Sequence, residues 1–338
     1  MTLGAASAEN TVPAAALAGT EPLEPPMTHD DPFADAALIA VDWGTSRCRA
    51  MLLARDGALI AEQESSDGIA ALGGNGHEDA FDRLVAGWPE VPAIMAGMIG
   101  SRQGWREAPY VEVPTSLDRL ADGLLRFTSS RHRPLAIVPG LVLRSPERDG
   151  DVIRGEETQL VGLIEREPGF DGLAILPGTH SKWAAVRGAG IVSFQTFMTG
   201  EMFDLLARKS FLRHSVSETA DDLSASPDFE LAVRRSVEAD LPFLAAIFSV
   251  RVRQLLNGVS GDDNLAYLSG LVIGGEIAAA RRIGLRSAGA AVRIIGSRSL
   301  ARAYLRAFHI LGDEAETRDG SDLVRAGLVR LARANGML

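Results

Sequence analysis

An aspartate at the end of an apolar run is followed almost directly by a turn of small and hydroxyl-bearing residues. Asp42 closes the run, and Gly44, Thr45 and Ser46 follow. The backbone amides and hydroxyls of such a turn can bind phosphate oxygens, while the carboxylate can hold a hydrated Mg²⁺ against them. We therefore predict a phosphate-binding turn with Asp42 as metal ligand. A capped hairpin turn is the structural alternative.

A second turn of the same kind occurs 134 positions further along, counted from Thr45 to Thr179. It reads Gly178-Thr179-His180-Ser181 and is followed by Lys182. Only two of the chain's 34 basic residues are lysines, so a lysine at this turn suggests a role for a compact point charge. Two such turns facing each other would hold one polyphosphate between them. We predict Gly178, Thr179, His180, Ser181 and Lys182 as nucleotide contacts.

The elements around the two turns follow one pattern. In each half a short apolar strand leads into the turn, and two further strands follow it. The predicted strands are 38–41, 49–54 and 58–62 in the first half and 173–176, 183–186 and 191–197 in the second. The repetition predicts a duplicated α/β domain.

Helices are predicted from apolar spacing and from capping residues. Residues 156–165 place Leu160, Leu163 and Ile164 on one face. Ser226-Pro227 has the form of an N-cap with proline at the first helical position, and a helix over 241–256 ends at Asn257-Gly258. These two helices predict a helical insertion in the second half, near 212–260.

The composition excludes several classes of protein. A net charge of −10 without a basic patch argues against nucleic-acid binding, and no apolar stretch approaches the roughly 20 residues of a membrane span. The single cysteine, Cys48, allows no internal disulfide and no multi-cysteine metal site, which predicts a cytoplasmic protein. The glycine-rich loops of P-loop and dinucleotide-binding proteins are absent from the sequence.

Several short motifs occur in a combination far more specific than any one of them. They are Asp42-Trp43-Gly44-Thr45-Ser46, Met95-Ala96-Gly97-Met98-Ile99-Gly100-Ser101, Ala108-Pro109-Tyr110, Val138-Pro139-Gly140-Leu141, Arg154-Gly155-Glu156-Glu157-Thr158-Gln159, Leu176-Pro177-Gly178-Thr179-His180-Ser181-Lys182-Trp183, Thr199-Gly200-Glu201 and Ser269-Gly270-Leu271. Over roughly residues 37–335 the chain resembles the 2-dehydro-3-deoxygalactonokinase family. That family belongs to the superfamily of acetate and sugar kinases, heat-shock proteins and actin. The resemblance implies an α/β fold of two duplicated actin-like (ribonuclease H-like) domains with an interdomain ATP cleft.

The resemblance also implies a division of the chain and an activity. We expect a disordered tail (1–36), an N-terminal sugar-binding domain (37–170) and a C-terminal nucleotide-binding domain (171–338). The family uses ATP and Mg²⁺ to phosphorylate the terminal hydroxyl of 2-dehydro-3-deoxy-D-galactonate in galactonate catabolism, so a small sugar acid is the expected partner. A homo-oligomer is possible. The alternatives are a kinase of the same superfamily for another sugar or sugar acid and a non-catalytic, actin-like ATP-dependent switch.

A sugar kinase needs a base for the attacking hydroxyl and a receptor for its substrate. Related kinases place an Asp where Glu156 and Glu157 begin a helix here, so one of the two is the expected base. Their spacing to Leu160 and Leu163 favours Glu156, although acids also suit a helix N-terminus through its dipole. Two arginines, Arg102 and Arg154, are candidate ligands of the substrate carboxylate. Gly97 and Ser101, from the motif that spans residues 95–101, are further candidates for substrate binding. The Gly296-Ser297 turn resembles the adenosine turn of the superfamily.

Overall fold

The computed structural model describes residues 32–338 except 74–75, 146–148, 220, 239–241 and 286–288. Contacts divide the chain into two units, 1–34 and 35–338, and every helix and strand described below belongs to the second unit. Of the predicted tail, 1–36, all but the last five residues lie outside the described part of the chain.

The described residues form fifteen strands and ten α-helices. The strands are β1 (Ala36–Trp43), β2 (Cys48–Ala54), β3 (Leu59–Ser65), β4 (Ala93–Gly97), β5 (Tyr110–Glu112), β6 (Thr115–Ser116), β7 (Leu125–Thr128), β8 (Pro134–Ile137), β9 (Gly140–Leu143), β10 (Asp151–Ile153), β11 (Gly172–Leu176), β12 (Ser181–Arg187), β13 (Gly190–Phe197), β14 (Ala291–Gly296) and β15 (Glu316–Asp319). The helices are α1 (Ile69–Leu72), α2 (His77–Leu84), α3 (Leu117–Asp122), α4 (Glu156–Arg166), α5 (Thr199–Asp204), α6 (Pro227–Val237), α7 (Phe243–Asn257), α8 (Gly261–Arg282), α9 (Arg298–Ile310) and α10 (Gly320–Ala334).

Two six-stranded sheets share a topology of five strands, and their sixth strands, β7 and β6, lie at opposite edges of that unit. Sheet 1 has the order β3-β2-β1-β4-β8-β7, and sheet 2 has the order β6-β13-β12-β11-β14-β15. In each repeat three successive strands are antiparallel, and the next two strands run parallel to the first. Strand β1 is buried throughout residues 38–41, as a strand covered on both faces should be. The predicted duplication is thus confirmed. A small third sheet has the order β10-β9-β5.

Helices α4 and α10 cross with their backbones in contact. A Cβ atom added at Gly162 would lie 1.9 Å from the carbonyl oxygen of Leu323, and one added at Gly327 would lie 2.1 Å from that of Thr158. Only glycine permits so close a crossing. Both helices contribute to one hydrophobic cluster that includes residues of both sheets. The crossing fixes the N-terminal end of α4, where Glu156 and Glu157 lie.

Helices α6, α7 and α8 pack together beside sheet 2, and their ends follow the capping signals of the sequence. The Ser226 hydroxyl accepts a hydrogen bond from the amide of Asp228 at 3.1 Å at the start of α6. Helix α7 ends at Gly258, whose φ of 62° lies in the left-handed region. Among the described residues, no helix is both long and apolar enough to cross a membrane.

Candidate active site

A cavity of about 760 Å³ lies where the two repeated turns meet. Its walls are the carboxyl ends of β1, β4, β11 and β14 and the N-terminal ends of α4, α9 and α10. Ligands of open α/β sheets characteristically bind at this end of the strands. Most of the residues predicted from the sequence line the cavity, namely Asp42, Gly44, Thr45, Gly97, Ser101, Arg154, Glu156, Gly178, Thr179, His180, Lys182, Gly296 and Ser297.

Four of the predicted residues do not line this cavity: Ser46, Arg102, Glu157 and Ser181. Ser46 lies on the exposed side of its turn, and Arg102 extends into solvent, 3.9 Å from Glu107. Glu157 and Ser181 are completely buried, because the helical and strand periodicities turn them away from their neighbours Glu156 and Lys182. A motif therefore identifies the turn, and the periodicity decides which side chain can meet a ligand.

The first turn, residues 44–46, follows an acid that is only partly neutralised. The Asp42 carboxylate lies 3.7 Å from the Arg49 guanidinium, its neighbour across the β1–β2 hairpin. Burial at the foot of the cavity raises the pKa of Asp42, Arg49 opposes this effect, and the negative charge of Glu156 adds to it. Asp42 and Glu156 therefore share one electrostatic environment.

The second turn, residues 178–181, is followed by a cation instead. The Lys182 ammonium forms an ion pair with Glu156 at 2.7 Å and donates to the carbonyl of His180 at 2.8 Å. The side chain of Lys182 is 10% exposed and that of Glu156 is 22% exposed, so the ion pair lies in the wall of the cavity. His180 forms a separate pair with Glu201 at 2.6 Å. The second turn thus offers a positive charge where the first offers a carboxylate.

A short helix begins directly against each turn. The carbonyl of Thr45 accepts a hydrogen bond from the amide of Ala70 in α1, and that of Thr179 accepts one from the amide of Glu201 in α5. A Cβ atom at Gly68 or at Gly200 would lie 2.3 Å from backbone atoms of the adjacent turn. The duplicated unit therefore includes the helix that follows its third strand.

A buried carboxylate fixes the second turn from behind. Glu276, in the middle of α8, accepts hydrogen bonds from Ser181 at 2.7 Å and from the Trp183 indole at 2.5 Å. Its other oxygen accepts from Thr199 and, at 2.6 Å, from the Tyr304 hydroxyl. Burial raises the pKa of Glu276, and the four hydrogen bonds oppose this effect. One side chain thereby connects β12, α5, α8 and α9.

The two acids that begin α4 have different environments. A carboxylate oxygen of Glu156 accepts a hydrogen bond from the amide of Arg154 at 3.2 Å, and the side chain faces the cavity. Glu157 points into the core, where it accepts from the amide of Gly155 at 2.6 Å and from the hydroxyl of Thr158 at 3.3 Å. Burial, helped by the charge of Glu156, raises the pKa of Glu157 to about 8. Only Glu156 can reach a ligand in the cavity.

Polar atoms without partners gather on the sheet 1 side of the cavity. Arg154 donates to the carbonyl of Ala108 at 2.8 Å, and its guanidinium lies 4.4 Å from the centre of the Tyr110 ring. The Nε and Nη1 atoms of Arg154 and the Oγ of Ser101 are buried without any hydrogen-bond partner among the described residues. Buried donors left unpaired in a protein alone are characteristic of a ligand site.

A second cavity, of about 660 Å³, adjoins the first. Gly178 and Arg298 line both cavities, while Tyr304 and residues of α8 form the far wall of the second. Ser297 precedes α9 and lines the first cavity only. Among the described residues, no group of three or more His, Cys, Asp or Glu side chains could hold a metal ion, so Asp42 has no cluster of protein ligands around it.

Sequence reasoning missed several residues of the site, some of which left a signal. Arg49 could have been found from the hairpin pairing, which places it across from Asp42. Glu276 is an acid in the middle of a largely apolar stretch of α8, a position that calls for buried partners. Nothing in the local sequence distinguishes Arg298 from the chain's many other arginines.

The chain is similar to known proteins over most of its length. The model of the family described as 2-keto-3-deoxy-galactonokinase matches residues 42–331. The chain belongs to this family. It is similar to a Rhizobium meliloti (strain 1021) protein named as a probable 2-dehydro-3-deoxygalactonokinase, with 39% identity over 87% of this chain and 96% of the relative. It is also similar to the Escherichia coli (strain K12) 2-dehydro-3-deoxygalactonokinase, with 31% identity over 88% of this chain and 98% of the relative.

The fold is shared with a solved structure of the family. A crystal structure of a Sinorhizobium meliloti protein described as a 2-dehydro-3-deoxygalactonokinase superimposes with a TM-score of 0.83 at 38% identity, over 88% of this chain and 99% of that one. The family inferred from the sequence motifs is confirmed, and so is its α/β fold of two actin-like domains.

Proposed function

We propose that this chain is an ATP-dependent sugar-acid kinase that transfers the γ-phosphoryl group to the terminal hydroxyl of 2-dehydro-3-deoxy-D-galactonate, giving the 6-phosphate in galactonate catabolism. One observation carries the proposal beyond family membership. Asp42, Glu156 and Lys182 line a single cavity together with both Gly-Thr turns. These groups match what phosphoryl transfer requires: positioning of the phosphates, neutralisation of their charge and a base.

ATP is proposed to extend across both cavities. Its phosphates would lie between the two turns, whose residues Gly44, Thr45, Gly178 and Thr179 all line the first cavity. Its nucleoside would continue past Ser297 into the second cavity, because Gly178 and Arg298 line both cavities. The positive charge of Lys182 lies in the wall of the first cavity and suits a phosphate oxygen.

Asp42 is the proposed protein ligand for Mg²⁺. Mg²⁺ usually keeps several waters and binds through one or two carboxylates together with substrate phosphates, so a lone carboxylate facing a phosphate turn suits it. When bound, the ion would neutralise charge on the phosphates.

The carboxylate of the sugar acid is proposed to bind Arg154. Arg154 and Ser101 both line the cavity, and two guanidinium nitrogens of Arg154 and the Ser101 hydroxyl are buried without a hydrogen-bond partner among the described residues. Tyr110 lies against the guanidinium and limits its movement. Charge-assisted hydrogen bonds of this kind are roughly twice as strong as neutral ones and favour a planar carboxylate. Arg102, which is exposed, has no comparable role in the proposal.

Glu156 is the proposed base. The terminal hydroxyl loses its proton to the Glu156 carboxylate while its oxygen bonds to the γ-phosphorus, and the bond from that phosphorus to the bridging oxygen of ADP breaks. Before the nucleotide binds, Lys182 pairs with Glu156 at 2.7 Å. A phosphate that attracts Lys182 would leave the carboxylate free for the hydroxyl. Lys182 would thus pair with Glu156 in the absence of the nucleotide and with a phosphate in its presence.

The assignment of the base is tested by Glu156→Gln with Glu157→Gln as its matched control. We expect kcat to fall by about 10²-fold or more for Glu156→Gln, with little change in KM for ATP. Glu157→Gln should stay within about threefold of wild type, because its side chain does not reach the cavity. The opposite ranking of the two variants would assign the base to Glu157.

The substrate is tested by ADP release with the keto-deoxy acids derived from galactonate and from gluconate. Rapid turnover with the galactonate-derived acid is expected. Turnover confined to the other epimer would favour the alternative of a related sugar-acid kinase, and no ADP release with any sugar acid would remove the proposed function. Cys48, a buried cysteine without a disulfide partner, suits the cytoplasm as the compartment of this reaction.

A further inference from the structure

Helix α7 carries a row of large apolar side chains on its outer face, in addition to the buried Ala246 and Val250 on its inner face. Leu244, Phe248, Val252, Leu255 and Leu256 have exposed fractions of 80%, 62%, 36%, 63% and 77%. Intervals of three and four residues place them in one stripe along the helix. A surface helix of a monomeric protein usually carries polar residues on its outer face.

The arginines of α7 are turned towards the chain itself. Arg253 forms an ion pair with Asp228 and donates to the Asn264 side chain at 3.2 Å. Arg251 donates to Ser215 at 3.2 Å and, within the helix, to Gln254 at 2.7 Å. The outer stripe of α7 therefore carries no charged residue. Contact with water alone would not favour so long an apolar stripe on an outer face.

The size of this patch matches that of a protein–protein contact. Phe211, which is 67% exposed, lies beside the helix, with the Arg251 guanidinium 5.3 Å from its ring centre. At roughly 200 Å² for a fully exposed large apolar residue, Phe211 and the five residues of the stripe expose on the order of 800 Å². That is about the contribution of one partner to a stable interface, and it exceeds the roughly 300–600 Å² of the largest patch on a typical monomer.

We infer that two copies of this chain associate through α7, with the helices antiparallel about a two-fold axis near Phe248 and Val252. A two-fold axis through the middle of a helix brings the N-terminal half of its stripe against the C-terminal half of the stripe on the second copy. The same apolar surface therefore serves both copies. The net charge of −10 opposes contact elsewhere on the surface, whereas the stripe has no acid to repel its copy. No residue of α7 lines either cavity, so the contact is separate from the proposed active site.

The oligomeric state of charged variants tests this interface. Wild-type protein at about 20 µM should have twice the chain mass of 35.9 kDa by light scattering, whereas Phe248→Glu and Leu255→Glu should run as single chains. Leu59→Glu is the matched control, because Leu59 is 46% exposed on β3 of the other sheet, and it should remain a dimer. Unchanged circular dichroism and melting temperature would show that the variants are folded. A monomeric wild type, or a Phe248→Glu variant that remains a dimer, would overturn the interface.

Oxidative cross-linking tests the antiparallel arrangement independently of any loss of stability. Cysteine introduced at position 248 or 252, as Phe248→Cys or Val252→Cys, should form a disulfide with its copy and give a species of twice the chain mass. Leu59→Cys should not, and the native Cys48 is buried. If other residues of the same chain cover the stripe, neither variant gives this species, which would contradict a two-fold contact. Kinase activity does not enter these measurements, so their failure would leave the proposed function untouched.

Discussion

The two Gly-Thr turns share a backbone and differ in charge. In the first hairpin Asp42 lies across from Arg49, and in the second the same place is taken by Leu176 across from Lys182. Each turn thus has one cation at an equivalent position of its second strand. The first turn supplies the acid that pairs with its cation, whereas the cation of the second turn pairs with Glu156 from α4.

The support behind the turns differs as well. Behind the first turn the Trp43 indole donates to the carbonyl of Asp67 at 2.8 Å, a single neutral bond. Behind the second turn Glu276 accepts four hydrogen bonds, two of them from Ser181 and Trp183. The duplicated backbone therefore leaves one turn with a partly exposed acid and holds the other in a rigid network. The difference suggests that the first turn serves the metal and the second fixes the phosphates.

The largest expected effect comes from removing the acid of the first turn. Asp42→Asn keeps the shape but loses the charge proposed to hold Mg²⁺, so kcat should fall by about 10³-fold at saturating Mg²⁺. The control is Asp67→Asn, whose carboxylate forms a partly exposed pair with Arg83 and does not line the cavity. That variant should stay close to wild type. Near-normal turnover of Asp42→Asn would show that the first turn has no metal role.

The next effect comes from the cation of the second turn. Lys182→Met keeps a similar length without the charge, and we expect kcat/KM for ATP to fall by about 10²-fold. Lys182→Arg restores the charge with a different shape and should recover only part of the loss. Steady-state kinetics with varied ATP would measure both variants. A Lys182→Met variant with unchanged kcat/KM would remove the contrast between the turns.

The repeated strands could be predicted because their signal is local. An apolar run, a glycine turn and a second strand are contiguous in the sequence, and β1, β2, β11 and β12 follow that prediction within two residues at each end. The helix ends at Ser226 and Gly258 were equally local. The buried strands of each half could be predicted for the same reason, namely that their signal is local.

The site could be predicted only in part, because its contacts join distant segments. Lys182 and Glu156 are 26 positions apart, and Glu276 lies 95 positions from Ser181. No periodicity connects such pairs. The choice between Glu156 and Glu157 was accessible, because it depends on helical phase within α4. The partner that Ser181 meets in the core, by contrast, comes from the distant helix α8 and could not be predicted locally.

A smaller effect is expected from the network behind the second turn. Glu276→Gln replaces one acceptor oxygen by a donor, so the surrounding hydroxyls must reorient, and we expect a loss of about 1–3 kcal/mol in the free energy of unfolding. KM for ATP should rise by about tenfold while KM for the sugar acid stays unchanged. Tyr304→Phe removes one of the four donors and should give a weaker form of both changes. Lower stability with a normal KM for ATP would limit Glu276 to a structural role.

The smallest effect on activity, and a distinctive one on stability, is expected at Glu157. Its pKa is about 8 in the folded protein against 4.5 for an ordinary glutamate, because burial disfavours the charged form. The native state therefore binds this proton more tightly than the unfolded state does. The resulting stabilisation is complete below about pH 4.5 and is lost as the pH rises through 8. The free energy of unfolding of the wild type should therefore fall between about pH 4.5 and 8. Glu157→Gln should lack this fall, because it has no proton to lose at this position.

Denaturant titrations at several pH values would measure this difference. Gln resembles the protonated acid, since its carbonyl can accept from the Gly155 amide while its amide faces the Thr158 hydroxyl. At pH 5 the two proteins should have similar free energies of unfolding, and by pH 8.5 Glu157→Gln should be more stable by a few kcal/mol. Parallel curves for the two proteins would mean that Glu157 titrates normally. The assignment of Glu156 as the base rests on helical phase and would not be changed by that result.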